Sequence, residues 1–222
     1  MRKAVGIALI ASMMCGSASC EPSSDNNIEQ VVQESAGVSL SDPEMVPLYK
    51  EWVQKATTTS AANNIPAFIV YKREHEMDFL QGGIVTKTFP TELGFNPVDA
   101  KTREYDGCTP EGFYEIVAVK DTGQTHFYRA FLINYPNKRD KKIYNELKES
   151  GEIKEGVGIG GAVEIHGGGS GNGLKGNDWT LGCMALSNPQ MDELFDIVEQ
   201  NYKNGRPTFV AIVRNRLDIS SD

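Results

Sequence analysis

Seven side chains in this sequence carry sulfur or imidazole suited to nucleophilic or acid–base work: Cys15, Cys20, Cys108, Cys183, His75, His126 and His166. Cys183 stands apart by its surroundings. It follows Thr180-Leu181-Gly182, and Ala185-Leu186-Ser187 leads on into a helix opening at Asn188-Pro189. A cysteine shortly before a helix N-terminus feels the positive end of the helix dipole, which favours thiolate. The base it needs is expected to be His166, at the end of a strand 17 residues upstream, with a structural hydrogen-bonding role as the rival reading of a lone histidine. Ten of the 22 glycines lie between Gly156 and Gly176, around that histidine. A loop so rich in glycine can fold back and bring imidazole within hydrogen-bond reach of sulfur, the Cys–His arrangement of covalent catalysis. His75 and His126 have no partner that the sequence reveals and read as structural hydrogen-bonders.

Other chemistries fit less well. A Cys108–Cys183 disulfide is the rival use of the same sulfur, since an exported chain meets an oxidising compartment. Structural zinc needs about four Cys or His ligands at short spacings, and these residues are scattered. Gly156-Val-Gly158-Ile-Gly160-Gly161 satisfies G-x-G-x-x-G, but a charged segment precedes it and a strand follows, the reverse of a dinucleotide site. Gly168-Gly-Ser170-Gly-Asn172 lacks the final glycine of a serine-hydrolase elbow. With 22 Lys and Arg against 30 Asp and Glu the net charge is −8, so a nucleic-acid partner is not expected.

The first residues read as an address. Arg2 and Lys3, the apolar run Ala4 to Met14 and then Gly16-Ser17-Ala18-Ser19 have the layout of a secretory signal over residues 1–19, too short to span a bilayer. Ala18-Ser19-Cys20 resembles a bacterial lipobox, with Ser17 where such boxes usually carry Leu. Cys20 is therefore expected to be lipidated and to anchor the chain in the cell envelope. Simple cleavage near Ala18 is the rival outcome. Loss of Arg2 and Lys3 takes the charge from −8 to −10.

Residues 20–41, rich in Ser, Asp, Asn, Glu and Gln, read as a flexible tether. A docking helix and connector should follow over 42–66, capped by Asp42-Pro43 and repeating Met45, Leu48, Tyr49 and Trp52 at helical spacing. A single domain over 67–214 holds strands at Ala67–Tyr71, Met77–Leu80, Ile84–Phe89, Phe113–Val119, Phe127–Ile133, Ala162–Ile165 and Pro207–Val213. Gly82-Gly83 and Asp121-Thr-Gly123 are its hairpin turns. A solvated helix spans Asp140 to Glu149. Another, capped by Asn188-Pro189, presents Met191, Leu194, Phe195, Val198 and Tyr202 on one face. Residues 215–222 form a C-terminal tail. The fold class is mainly β with a few short helices.

Several ordered motifs then agree. Ile165-His166-Gly167 followed by Thr180-Leu181-Gly182-Cys183 resembles the signature of L,D-transpeptidase (YkuD-type) catalytic domains, a histidine, a loop, and Ser/Thr-x-Gly-Cys. Upstream, Leu93-Gly94-Phe-Asn-Pro97, Lys101 and Asp106-Gly-Cys-Thr-Pro-Glu-Gly-Phe-Tyr-Glu-Ile116 look like the family's "G…K…DGRTPEGxYxI" block. Tyr135-Pro136-Asn137 with Asp140 resembles a segment of one murein transpeptidase branch. Three positions depart from the pattern: Leu181 stands where many members carry His, Ala185 where many carry Arg or Asn, and Cys108 replaces a common Arg. Cys108 is either a neutral filler or a second thiol.

The resemblance implies a β-sandwich or barrel-like catalytic domain that acts on peptidoglycan stem peptides, as a monomer, without metal or cofactor. His166 would take the Cys183 proton or hold a thiolate–imidazolium pair. Sulfur would attack the diaminopimelate–D-Ala bond, leaving a thioester that an amine resolves into a 3→3 cross-link. The Gly182 and Cys183 N–H groups would form the oxyanion hole, donors worth about 3 kcal/mol each. The Gly167 carbonyl would orient His166, and Thr180 would touch substrate. Resolution by water, as in an L,D-carboxypeptidase or a hydrolase releasing murein-attached lipoprotein, is the alternative. A non-catalytic murein-binding lipoprotein is another. His166→Ala is expected to lose acylation and keep the fold, a loop-edge imidazole carrying little packing.

Overall fold

The computed structural model describes residues 45–171 and 177–216. The signal, the tether, Cys20, the Asp42-Pro43 cap and most of the C-terminal tail lie outside the described residues. Along the chain run α1 (Met45–Asn63), β1 (Pro66–Tyr71), β2 (Glu76–Gln81), β3 (Ile84–Pro90), β4 (Gly112–Lys120), β5 (Ala130–Ile133), α2 (Lys138–Glu149), β6 (Glu164–His166), β7 (Met184–Ala185), α3 (Asn188–Lys203) and β8 (Phe209–Val213). The strands form one sheet in the order β3-β2-β1-β8-β4-β5-β6-β7. The fold is thus mainly β, with three helices among the described residues.

Strand alternation explains how helices cover both faces of the sheet centre. Side chains point to opposite faces at successive strand positions. Ala67, Ile69, Tyr71, Ala211 and Val213 join Met45, Tyr49, Trp52 and Ala56 of α1 in one buried cluster. The alternate residues Phe68, Val70, Val210 and Ile212 join Met191, Leu194, Phe195 and Val198 of α3 in the larger core. All six residues of β1 are buried for that reason, which is why its sequence reads as continuously apolar. β1 and β8 pair in parallel, so the last strand closes beside the first.

Helix α1 is longer than the short helix expected from sequence. Its buried stripe continues from Trp52 to Ala56 and Ser60, where a hydroxyl that donates to the Ile65 carbonyl (2.6 Å) hides the helical period from an apolar count. A buried charge cluster pins it to the sheet. The Tyr49 hydroxyl donates to Glu111, whose carboxylate also takes Lys72 Nζ at 3.0 Å, and Lys72 reaches the Asp99 carbonyl at 2.6 Å. Burial holds Lys72 below the ordinary lysine range against the pull of Glu111.

The turn residues behave as their chemistry requires. Gly82 and Gly83, with φ of 60° and 79°, make the two-residue β2–β3 hairpin that favours glycine at both centres. The cap of α3 is Ser187 rather than Asn188: its side chain accepts from the Gln190 N–H, and the Gln190 side chain returns the bond. Tyr202 is exposed and donates to the Val117 carbonyl at 3.0 Å; the buried place on that face belongs to Asn201. Its amide is consumed by the Arg206 and Pro207 carbonyls and by Thr208 Oγ1, at 2.9–3.1 Å. β5 and β6 begin later than expected, and β7, two residues long, leaves no periodic trace in the sequence.

Candidate active site

Backbone pairing, rather than the glycine loop by itself, brings the candidate nucleophile to the candidate base. β6 and β7 run parallel with Ile165 opposite Met184 and His166 opposite Ala185. Cys183 immediately precedes β7, and one more register step sets it beside Glu164. Residues two apart on a strand share a face, so Cys183 and His166 lie on the same side of this edge. Glu92 closes the other flank through an antiparallel bridge with Ala185, its N–H donating to the Ala185 carbonyl (3.0 Å) and the Ala185 N–H returning the bond (2.8 Å).

His166 is fully buried, which corrects the expectation of a loop-edge imidazole. Phe127 stacks on the ring at 3.5 Å with a 6° interplanar angle, and Trp179 meets it edge-on at 5.8 Å and 70°. Nδ1 lies 2.8 Å from the Gly167 carbonyl. A carbonyl only accepts, so Nδ1 carries the hydrogen and Nε2 the lone pair. Nε2 is buried and has no hydrogen-bond partner among the described residues. Burial lowers the histidine's pKa; the Gly167 bond and the charges of Glu164 and Glu92 oppose it.

Cys183 is half-buried and a free thiol. Its sulfur accepts from the Glu164 N–H at 3.4 Å and donates to the Ala162 carbonyl at 3.8 Å. The expected Cys–His hydrogen bond is therefore not formed: the sulfur is turned onto the β6 backbone. Nor is the thiol acidic. Burial pushes it up to about 11, and the Glu164 N–H offsets only part of that. The helix that was to favour thiolate starts at Asn188, four residues beyond Met184, and a helix-end charge acts only over about one turn. Burial thus favours the neutral form of both groups, thiol and imidazole.

The turn before Cys183 is built tightly. Thr180 Oγ1 donates to the Cys183 carbonyl at 2.8 Å and accepts from the Gly182 N–H at 3.1 Å. Thr180, expected at the substrate, is buried and spends its hydroxyl inside the turn. The Gly182 N–H, expected to face an oxyanion, is committed to that hydroxyl. Gly182 has φ 129°, and a Cβ there would collide with the Cys108 carbonyl oxygen. Lys101 secures the same turn from outside, donating to the Leu181 carbonyl at 3.1 Å and to Asp106 at 2.8 Å. Asp106 in turn accepts from the N–H groups of Thr102, Arg103 and Cys108.

Cys108 is buried and free, so the rival disulfide is absent. His75 pairs with Asp178 at 2.8 Å, and Asp178 accepts from the Leu93 N–H at 2.8 Å, a loop-fixing role. His126 is exposed. The residues that sequence reasoning missed are Phe127, Trp179, Glu92 and Glu164. Their only sequence signal was proximity to the motifs. Glu164 sits two residues before His166, and its carboxylate takes Lys120 at 2.5 Å and Thr125 at 3.3 Å.

A free cysteine in a Thr-x-Gly-Cys turn and a tautomer-fixed histidine thus share one sheet edge. Residues 66–210 match the family model of the L,D-transpeptidase catalytic domain, YkuD, and the chain belongs to that family. No curated protein is similar enough to register as a match. Among solved structures, the helical cell shape determining protein Pgp2 of Campylobacter jejuni is similar at 21% identity and a TM-score of 0.50, over 76% of this chain and 56% of that one. Bd1075 of Bdellovibrio bacteriovorus is similar at 22% identity and a TM-score of 0.46, over 69% and 49%. An L,D-transpeptidase of Xylanimonas cellulosilytica is similar at 15% identity and a TM-score of 0.44, over 68% and 61%. At these identities the likeness is one of fold, and the chain spans about half to three-fifths of each of those proteins.

Proposed function

We propose that this protein is a cysteine acyltransferase of the cell wall in which Cys183 attacks the diaminopimelate–D-Ala bond of a peptidoglycan stem and His166 is its base. The observation that carries the reading is the imidazole: Nδ1–H is tied to the Gly167 carbonyl, leaving a buried Nε2 lone pair that has no partner among the described residues, on the face that also bears a partly exposed thiol. Because both groups rest neutral, the proton leaves sulfur during attack rather than before it. Nε2 takes the thiol proton as the S–C bond forms. The imidazolium then gives that proton to the departing D-Ala nitrogen as the C–N bond breaks, and a thioester remains on Cys183. An incoming amine reverses the roles: Nε2 removes its proton, the new amide forms, and the thiol is regenerated.

The reaction requires one change from the resting geometry. Sγ must rotate from the Ala162–Glu164 backbone toward Nε2, a χ1 movement between staggered wells. With the Gly182 N–H committed to Thr180, the Cys183 N–H is the nearer oxyanion donor, and Gly182 contributes only if the Thr180 hydroxyl turns away. Export by the segment up to residue 19, anchoring through lipid on Cys20 and action as a monomer in the envelope belong to the same reading.

The test is incubation of the protein with tetrapeptide muropeptides and mass spectrometry of the products. Dimers lacking one D-Ala are expected. Monomeric tripeptides alone would replace the amine by water as acceptor, and turnover that survives in Cys183→Ala would remove the mechanism altogether.

A further inference from the structure

Glu92 is a buried carboxylate whose hydrogen-bond partners among the described residues are all neutral. One oxygen accepts from both the N–H (2.9 Å) and the hydroxyl of Ser170, and the other accepts from Trp179 Nε1 at 2.8 Å. Among the described residues no Lys or Arg makes an ion pair with it. Four other carboxylates with buried side chains are ion-paired, Glu111 with Lys72, Asp106 with Lys101, Asp78 with Arg216 and Glu164 with Lys120, whereas Asp140, like Glu92, accepts from neutral donors, the Tyr114 hydroxyl and the Asn137 N–H. A buried acid is normally balanced by a cation or coupled to function. Three donors and no donation are what an ionised carboxylate accepts.

The position of Glu92 gives that charge a purpose. Its backbone is bridged to Ala185, the residue opposite His166 in the β6–β7 ladder. Its side chain holds Ser170 and Trp179, four and thirteen residues after His166, so it fixes both arms of the glycine-rich segment that leaves the histidine. Trp179, held at its Nε1, sets its ring edge-on to the imidazole. The third group of many nucleophile–base sites binds Nδ1 directly and stabilises the imidazolium. Here Nδ1 is taken by a neutral carbonyl, so a stabilising charge has to act without binding the ring.

We propose that Glu92 is a positioning residue that does this work through Trp179: it fixes the indole against His166 and supplies a negative charge that favours the imidazolium formed during attack. The inference rests on the reaction proposed above. The groups around the ring are Glu164 from its own strand, which also pairs with Lys120 and whose charge raises the histidine more than that of Glu92 does; Cys183 from the residue before β7; the uncharged rings of Phe127 and Trp179; and Glu92. The charge of Glu92 raises the histidine against the lowering effect of burial.

The test is the titration of the His166 ring by NMR, without substrate, beside turnover kinetics. The chain has three histidines, so a His166→Gln control assigns the signal. Glu92→Gln keeps the shape and removes the charge; the His166 midpoint should move down by about one pH unit, kcat should fall about tenfold or more, and KM should hardly change. Trp179→Phe keeps the charge and removes one donor, so its midpoint should stay put or rise. If Glu92→Gln does not fold, a lowered midpoint in Trp179→Phe overturns the proposal and an unchanged or raised one supports it. A midpoint unmoved in a folded Glu92→Gln overturns it too, leaving the dyad reading intact. Turnover persisting in Cys183→Ala would instead overturn the dyad reading, while the titration would still report on Glu92.

Discussion

The turn at Cys108 and the turn at Cys183 pack against each other, the Cys108 carbonyl lying where a side chain at Gly182 would stand. Both carry free thiols, and burial pushes both up, to about 12 at Cys108 and about 11 at Cys183. By acidity neither is an activated nucleophile. Their surroundings separate them. The Cys108 sulfur is buried and donates at 3.4 Å to the Asp106 carbonyl of its own turn, with the Asp106 carboxylate adding repulsion against a thiolate. The Cys183 sulfur is partly exposed and shares a strand face with an imidazole whose Nε2 has no hydrogen-bond partner among the described residues. In the proposed reaction, a base and access for substrate, rather than a low resting pKa, mark the reactive thiol.

The sharpest way to break this comparison is to remove each sulfur in turn. Cys183→Ala should reduce turnover at least about 10³-fold with folding intact, as loss of a covalent nucleophile does. Cys108→Ala should stay within about threefold of the parent, since its part in the site is played by its backbone. Muropeptide turnover with circular dichroism as the folding control reads both. Equal losses in the two variants would erase the distinction. His166→Ala should cost about 10²–10⁴ in acylation. It should also lower stability by about 2 kcal/mol, because the ring stacks on Phe127 in a fully buried place. Intact-mass measurement of the acyl-enzyme and thermal melting test the two parts separately.

Gly182→Ala probes the contact between the turns themselves. The residue sits at φ 129°, and the added Cβ would run into the Cys108 carbonyl. The strain should cost about 1–3 kcal/mol. The displaced nucleophile turn should lose about ten- to a hundredfold in kcat, since misplacement of about 1 Å has that effect. A variant with parental kinetics would show that the close approach of the two turns is incidental.

Cys183, His166 and the Gly167 carbonyl were legible in the sequence as candidates because each is local: a motif before a capped helix, a strand end, and its next residue. The strands β1, β2 and β8 were legible because their apolar runs are bounded by turn residues. What could not be read depends on pairing across long separations. Glu92 meets Ser170 and Trp179, 78 and 87 residues away, and nothing in Thr91-Glu92-Leu93 announces a buried acid. The short strand β7, which sets Cys183 beside β6, has no room to show a period of two. The acidity of Cys183 was misread for a related reason: the sequence displays the helix that follows, whereas the desolvation that dominates comes from segments folded over it.

The smallest expected effect separates the thiols by pH. A group whose folded pKa is raised above its unfolded value binds its proton more tightly in the native state. The stability it contributes is full below the unfolded value, near 8.5 for cysteine, and is lost as pH rises through the folded one. With Cys108 raised to about 12 and Cys183 to about 11, both should make the protein progressively less stable to urea above about pH 8.5. Cys108→Ala should flatten that decline, and Cys183→Ala should flatten it as well, over a window ending about one pH unit lower. Thiol alkylation supplies the kinetic counterpart. In the folded protein without substrate, labelling at Cys183 should keep accelerating up to about pH 11, while Cys108 stays protected by its burial. A plateau at Cys183 near pH 7 would mean a resting thiolate–imidazolium pair, and the proton would then leave sulfur before the substrate arrives.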